Sequence, residues 1–266
     1  MIRFYYVKNI LLILIVIFFS SCTTTQEVAT VDDPGNALRV GVTPNYPPII
    51  FKQGGEIAGV EADLARRLAA ELGRPVQFIE LVWNKQIPSL LDQKTDIIMS
   101  GMSITGTRKV RINFTDQYLK SGLVSLMRVE DEQKYNSTEK IVNSSSNLGV
   151  VAGTTSDIFV RKNFPNIYNI IALQKPEDAP AALDRRSIDI FVHDVPSIMW
   201  LVSENEADLA AFWHLLNEES LAWGVRRDDD ELLMKVNSIL DKWKSDGTLK
   251  QILLKWLPSK YLERFK

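Results

Sequence analysis

An α/β fold of two similar lobes is predicted by three observations. Short apolar runs alternate with helical patterns from Leu38 onward, the grammar of βαβ units with parallel strands. That grammar is spoken twice, first over residues 38–99 and again over residues 148–192. An internal echo accompanies it. Leu91-Asp92-Gln93-Lys94-Thr95-Asp96-Ile97 and Leu183-Asp184-Arg185-Arg186-Ser187-Ile188-Asp189-Ile190 both read as helix ends feeding strands, with spacings that differ by one residue.

In chain order, residues 38–42 read as a strand. Residues 61–72 read as a helix with Leu64, Leu68 and Leu72 on one stripe and Gly73 as its stop. A strand over 76–81 follows, then a helix that Asn84 is placed to cap and that reaches Gln93, then a strand over 96–99. The second half offers a strand over 148–152, a helix from Thr154, a strand over 169–173, a helix over 177–185 and a strand over 188–192. Residues 121–127 and 219–225 are extended, apolar-rich stretches that read as two crossing hinge strands. Helices over 229–245 and 249–257 carry Trp243 and Trp256 on apolar faces, as core rather than ligand platforms. The expected division is a first lobe over 38–124 and 224–266 and a second over 125–223.

The N-terminus is organised differently. Arg3 and Lys8 precede an apolar run over residues 10–19, followed by Ser20, Ser21 and Cys22. This is the layout of an export signal, expected over 1–21, and the run is shorter than the roughly 20 residues a membrane span needs. Residues 23–37 are polar and aperiodic, which suits a tether. Phe19-Ser20-Ser21-Cys22 resembles the lipobox of bacterial lipoproteins, although Phe19 stands where Leu is usual. The resemblance implies that Cys22 becomes the lipidated first residue, and a lone cysteine in an exported chain has no disulfide partner.

Composition excludes several functions. The 266 residues are 45% hydrophobic and 24% charged, with 31 basic and 33 acidic side chains and a net charge of -2. No polybasic surface for nucleic acid is expected. His193, His214 and a single cysteine do not make a multi-ligand metal site or a Cys/His dyad, so no metal or cofactor is expected.

Ligands of open α/β sheets bind outside the carboxyl ends of strands. Attention therefore falls on Ser100-Gly101-Met102-Ser103 and His193-Asp194. Here the chain resembles the family-3 bacterial solute-binding proteins, receptors for polar amino acids that serve ABC-type importers. The residues that carry the likeness are Leu38-Arg39-Val40-Gly41-Val42-Thr43, Tyr46-Pro47-Pro48, Gly59-Val60-Glu61-Ala62-Asp63-Leu64-Ala65, Ile87-Pro88-Ser89-Leu90, residues 96–108, Phe114-Thr115-Asp116, Gly153-Thr154-Thr155 and Asp194.

The resemblance implies a two-lobed, periplasmic-binding-protein-like (Venus flytrap, type II) fold with two hinge strands. It also implies roles for matching positions. Arg108 would clamp a ligand carboxylate, which its planar fork suits, and Asp194 would receive a ligand ammonium. Ser100 and Ser103 would hydrogen-bond the ligand, while Gly101, where relatives carry a small polar residue, would offer only its backbone. Thr154 and Thr155 open a helix whose free N–H groups attract an anion, with Thr154 and Asp157 spaced as a capping box. Tyr46 and Trp83 would sandwich the ligand side chain. Ile49 and Thr107 stand where relatives commonly carry Phe and Glu.

The reading is of an exported, lipid-anchored, monomeric binding protein and not an enzyme. Dehydratases of prephenate or arogenate are similar to this fold and need a positioned acid. Asp194 and Glu61 are the cleft-side carboxylates expected here, both with binding or packing explanations. Cell-wall lytic enzymes carry a similar module ahead of a catalytic domain, which a sequence ending at Lys266 is expected to lack. A sensory receptor that has lost its importer is the third alternative.

Overall fold

The computed structural model describes residues 36–166 and 169–264. The expected export signal, Cys22 and most of the tether lie outside the described residues. β1 (Leu38–Val42) is buried except for Arg39, as a parallel strand covered on both faces should be. A small antiparallel sheet that went unpredicted follows: β2 (Asn45–Tyr46), β3 (Ile50–Gln53) and β4 (Glu56–Ala58). Its signal was the Gly54-Gly55 pair between short apolar runs. α1 (Val60–Glu71) buries Leu64 and Leu68 and stops where Gly73 takes a φ of +64°. β5 (Val76–Glu80) pairs parallel with β1.

The next helix begins later than expected. Trp83–Lys85 forms a 3₁₀ turn, and α2 (Gln86–Leu91) has Lys85 rather than Asn84 at its N-cap. The buried Gln86 side chain, donating to Thr43 Oγ1 at 2.8 Å, anchors the helix start. β6 (Ile97–Ile98), α3 (Gly106–Lys109) and β7 (Asn113–Phe114) complete this stretch, with Thr105 Oγ1 capping α3 by accepting from Arg108 N at 3.2 Å.

β8 (Leu119–Arg128) leads into a second sheet. There follow α4 (Thr138–Val142), β9 (Leu148–Val151), α5 (Thr155–Asn163), β10 (Ile170–Leu173), α6 (Ala179–Asp184), β11 (Ile190–Asp194), α7 (Val195–Glu204) and β12 (Leu209–Leu221). The order is β10-β9-β11-β8-β12, with β10, β9 and β11 parallel and β8 antiparallel to both of its neighbours. The strand expected over 188–192 lies two residues later. Ser187 and Ile188 both donate to Ala182 O, closing the end of α6 before β11 can start. The helix expected over 177–185 opens as a 3₁₀ turn, Pro176–Asp178, and ends at Asp184.

β13 (Gly224–Val225) rejoins the first sheet, whose order is β5-β1-β6-β13-β7. α8 (Asp230–Asp246), α9 (Thr248–Trp256) and α10 (Ser259–Arg264) follow. Trp243 is fully buried against Trp223, and Trp256 is half-buried with Nε1 donating to Asp63 at 2.8 Å, so both are structural. The hinge stretches pair antiparallel where the chain crosses between sheets, with Leu119 opposite Leu221 and Ser121 opposite Glu219. They differ from expectation in extent. Residues 124–127 belong to the interior of the second sheet, and β12 begins at Leu209, ten residues before the predicted stretch, with a register shift between Phe212 and Asn217. The run Asn217-Glu218-Glu219-Ser220 broke the apolar pattern that would have announced it.

Candidate functional site

Carboxyl ends of parallel strands in both sheets open onto one cavity of about 640 Å³. Thr43 follows β1, Leu81 follows β5, Ser100 follows β6, Ala152 follows β9, Gln174 follows β10, and Asp194 ends β11; all six line it. So do all nine residues singled out for ligand contact: Tyr46, Trp83, Ser100, Gly101, Ser103, Arg108, Thr154, Thr155 and Asp194. The first six come from the first lobe and the last three from the second.

Arg108 is half-buried on α3, a position fixed by the Thr105 cap. Its Nη1 donates to Ser103 O at 2.8 Å and its guanidinium carbon lies 5.1 Å from the centre of the Trp83 ring. It makes no ion pair among the described residues, so its other N–H groups remain for a ligand. Burial lowers its pKa, against the opposing pull of Glu219 and then Asp194. Asp194 is buried at the end of β11, and its Oδ1 has no hydrogen-bond partner among the described residues. Burial and then the Glu219 carboxylate hold its pKa well above the ordinary value. A guanidinium with free donors and a carboxylate with a free acceptor thus enter one cavity from opposite lobes.

The hydroxyls are more committed than the sequence suggests. Ser100 Oγ accepts from Thr43 N at 2.8 Å, which leaves its O–H to donate. Thr154 Oγ1 donates to Val151 O at 2.7 Å and meets Ser156 Oγ at 2.8 Å, so this hydroxyl serves the turn. The capping box is not formed. Asp157 Oδ2 accepts from Gly153 N at 3.0 Å, one residue earlier than the box requires, and Thr154 caps no N–H with its side chain. Ser103 and Thr155 both donate to Glu219 Oε2, Thr155 at 3.0 Å.

Gly101 is constrained from two sides. Its φ is +66°, and a Cβ there would meet the Tyr46 ring at 2.4 Å. Its N–H donates inward to Glu61 Oε2 at 2.5 Å, so the backbone contact with ligand expected of it is not made through that group. Glu61 is wholly buried beneath the cavity rather than lining it, and burial raises its pKa to about 8. His193, placed at a strand end by the sequence but given no ligand role, lines the cavity between Phe191 (5.5 Å, stacked) and Tyr46 (5.5 Å, edge-on), and burial drops its pKa to about 3. Glu80 lines the cavity too and is paired with Lys52 at 2.8 Å. Glu219 opens the predicted hinge stretch over 219–225, but no local signal marked its side chain as the acceptor of Ser103 and Thr155.

Two α/β lobes, two crossing strands and a polar cavity fed by strand ends of both lobes define a two-lobed small-molecule-binding protein. The chain belongs to the bacterial extracellular solute-binding proteins, family 3, whose model matches residues 38–259. It is 29% identical to the histidine-binding periplasmic protein of Escherichia coli K12 over 82% of this chain and 86% of that protein. Among solved structures it is similar to holo ArgBP from T. maritima (32% identity, TM-score 0.73, covering 82% of this chain and 96% of that one). It is equally similar in sequence to the ancestral amino acid-binding protein AncCDT-1, a precursor of cyclohexadienyl dehydratase (32% identity, TM-score 0.77, covering 84% and 95%).

Proposed function

We propose that this protein captures a zwitterionic amino acid between its lobes and hands it to an ABC-type importer while held to a membrane by a lipidated Cys22. In this reading residues 1–21 are the cleaved signal and 22–37 the anchored tether. Residues 38–124 with 224–266 form the first lobe, and 125–223 form the second. The single observation that carries the reading is the pairing of unspent Arg108 donors with the unpartnered Asp194 Oδ1 in one cavity. An amino acid's carboxylate and ammonium both lose water on entering, and each needs a charged partner. The amino-acid-binding relatives support the ligand class.

Isothermal calorimetry of the tether-free body tests this, after a thermal-shift screen across amino acids finds the ligand. Arg108→Ala and Asp194→Ala should each cost about 2 to 5 kcal/mol, a loss of roughly thirtyfold to several-thousandfold, with melting curves retained. An Asp194→Ala protein that binds as tightly as wild type sinks the amino-acid reading. Anchoring is tested separately: Cys22→Ser should release the exported protein from membranes.

The likeness to AncCDT-1, with Asp194 and Glu80 on the cavity wall, favours a second reading as a cleft enzyme of the dehydratase type. Turnover of prephenate or arogenate, abolished by Asp194→Ala, would establish it. Its absence leaves the receptor.

A further inference from the structure

Phe51 and Trp200 are large aromatic side chains that neither lobe uses in its core. Phe51 is buried on β3 and Trp200 is half-buried on α7, yet both stand apart from the packed apolar clusters. They meet each other instead, with ring centres 5.5 Å apart and planes inclined at 48°. Phe51 comes from the first lobe and Trp200 from the second, and neither lines the cavity. The contact joins the lobes outside the ligand site.

The first lobe holds its half of this contact in place. Trp256 of α9 packs edge-on against Phe51 at 5.7 Å. Trp256 is itself fixed by its Nε1 bond to Asp63 at 2.8 Å and by Lys255, whose Nζ lies 5.0 Å from the ring centre. Phe51 is therefore presented in one position, and little side-chain freedom is lost when Trp200 reaches it. Aromatic pairs at this distance are favourable beyond the area they bury.

Opening the cleft has to separate the pair. In the β2–β3 hairpin Tyr46 lies opposite Ile50 and Asn45 opposite Phe51, so Tyr46 and Phe51 move as one body. His193 and Trp200 belong to β11 and to α7, the helix that β11 feeds directly. These two bodies touch twice, through Tyr46 and His193 inside the cavity and through Phe51 and Trp200 outside it. A hinge motion that parts Tyr46 from His193 shifts the hairpin against α7 and draws Phe51 off Trp200.

We infer that Phe51 and Trp200 form an aromatic latch, outside the ligand cavity, that biases the lobes toward closure before any solute is bound. A receptor already partly closed binds more tightly, because less of the binding free energy goes into shifting the lobes. Trp200 is thus a positioning residue for capture. The inference holds for whatever solute enters and goes beyond the amino-acid reading.

Solution scattering tests it on the exported chain carrying Cys22→Ser, dialysed free of small solutes. Trp200→Phe keeps a ring, Trp200→Ala removes it, and Trp200→Asp places there a charge that closure would strip of water. The radius of gyration should rise in that order from the wild-type value while cooperative melting is retained. For Trp200→Ala the ratio of closed to open molecules should fall roughly twofold to tenfold, and further for Trp200→Asp. Equal radii in all four folded proteins would overturn the latch. Should Trp200→Asp not fold, Trp200→Ala against wild type decides, and equal radii again overturn it. No ligand enters the measurement, so failure of the latch leaves the amino-acid reading standing.

Discussion

Glu61 sits inside the first lobe with no exposed surface, one oxygen accepting from Gly101 N at 2.5 Å. Burial raises its pKa from 4.5 to about 8 against the hydrogen bonds that oppose it. Between those values the folded protein keeps a proton that the unfolded chain has released. Stability therefore falls as pH rises, by about 1.4 kcal/mol per unit, and the loss is complete above the folded value. Glu61→Gln removes this contribution and preserves an acceptor for Gly101 N–H. The stability difference between variant and wild type should shift in the variant's favour by about 2 kcal/mol between pH 6.5 and 8. Urea unfolding at the two pH values measures it; a constant difference would mean that Glu61 ionises freely where it sits. His193 acts with the opposite sign at lower pH. With its pKa dropped from 6.5 to about 3, its contribution is lost as pH falls below 6.5.

At the scale of elements, the internal echo proves to be one device used twice. Gln93 and Arg186 both adopt left-handed backbone, with φ of 58° and 55°. Lys94 N donates to Ser89 O and Ser187 N to Ala182 O, so α2 and α6 end in the same Schellman-type turn. The aspartates that follow match as well. Asp96 Oδ2 accepts from Arg39 N at 2.9 Å, at the start of β1, and Asp189 Oδ2 from Asn147 N at 3.0 Å, just before β9. Each also holds an arginine, Asp96 pairing with Arg39 at 2.6 Å and Asp189 with Arg128 at 3.0 Å. Arg74 joins Asp96 at 3.1 Å. Although burial pushes the Asp96 carboxyl up, its bonds to Arg39 and the nearby charges pull it below the ordinary range. Its stabilisation is present above about pH 4 and fades as pH drops through the lowered value. Asp96→Asn should cost about 2 to 3 kcal/mol at pH 7, discounted for the partial exposure of the arginines. Wild type and variant should converge in acid; a gap that stays constant down to pH 2 would assign the loss to packing.

For the whole molecule, contacts both across the cavity and outside it join the lobes. Trp83 Nε1 donates to Gly153 O at 3.0 Å, Glu219 gathers Ser103 and Thr155, and Tyr46 meets His193 edge-on. Outside the cavity Phe51 meets Trp200 at 5.5 Å and Arg264 donates to Trp213 O, so bending where β8 and β12 cross has to break these contacts as well. Ligand that touches both lobes should shift the population toward closure and lower the radius of gyration in solution scattering. Trp83→Phe deletes one joining bond without emptying the space and should weaken binding roughly threefold to tenfold. An unchanged radius at saturating ligand would mark a rigid cleft.

The parallel strands, α1 and the C-terminal helices were legible in the sequence because burial imposes periodicity. Leu64 and Leu68 recur at helical spacing, the run at 148–151 is continuously apolar, and the run at 38–42 is broken only by Arg39. The nine cavity-lining positions were legible through their order along the chain, a family pattern rather than a local force. What periodicity does not encode is which proton a hydroxyl donates and to what. Ser103 and Thr155 look like free ligand contacts in the sequence. Only the folding of β12 against β8, across a register shift, brings Glu219 from 64 residues beyond Thr155 to hold both. The sequence by itself determined the parallel strands and the helices, since burial and spacing are local properties. The charge balance and hydrogen-bond polarity of the cleft were decided by tertiary structure alone, because both depend on distances between side chains remote in sequence.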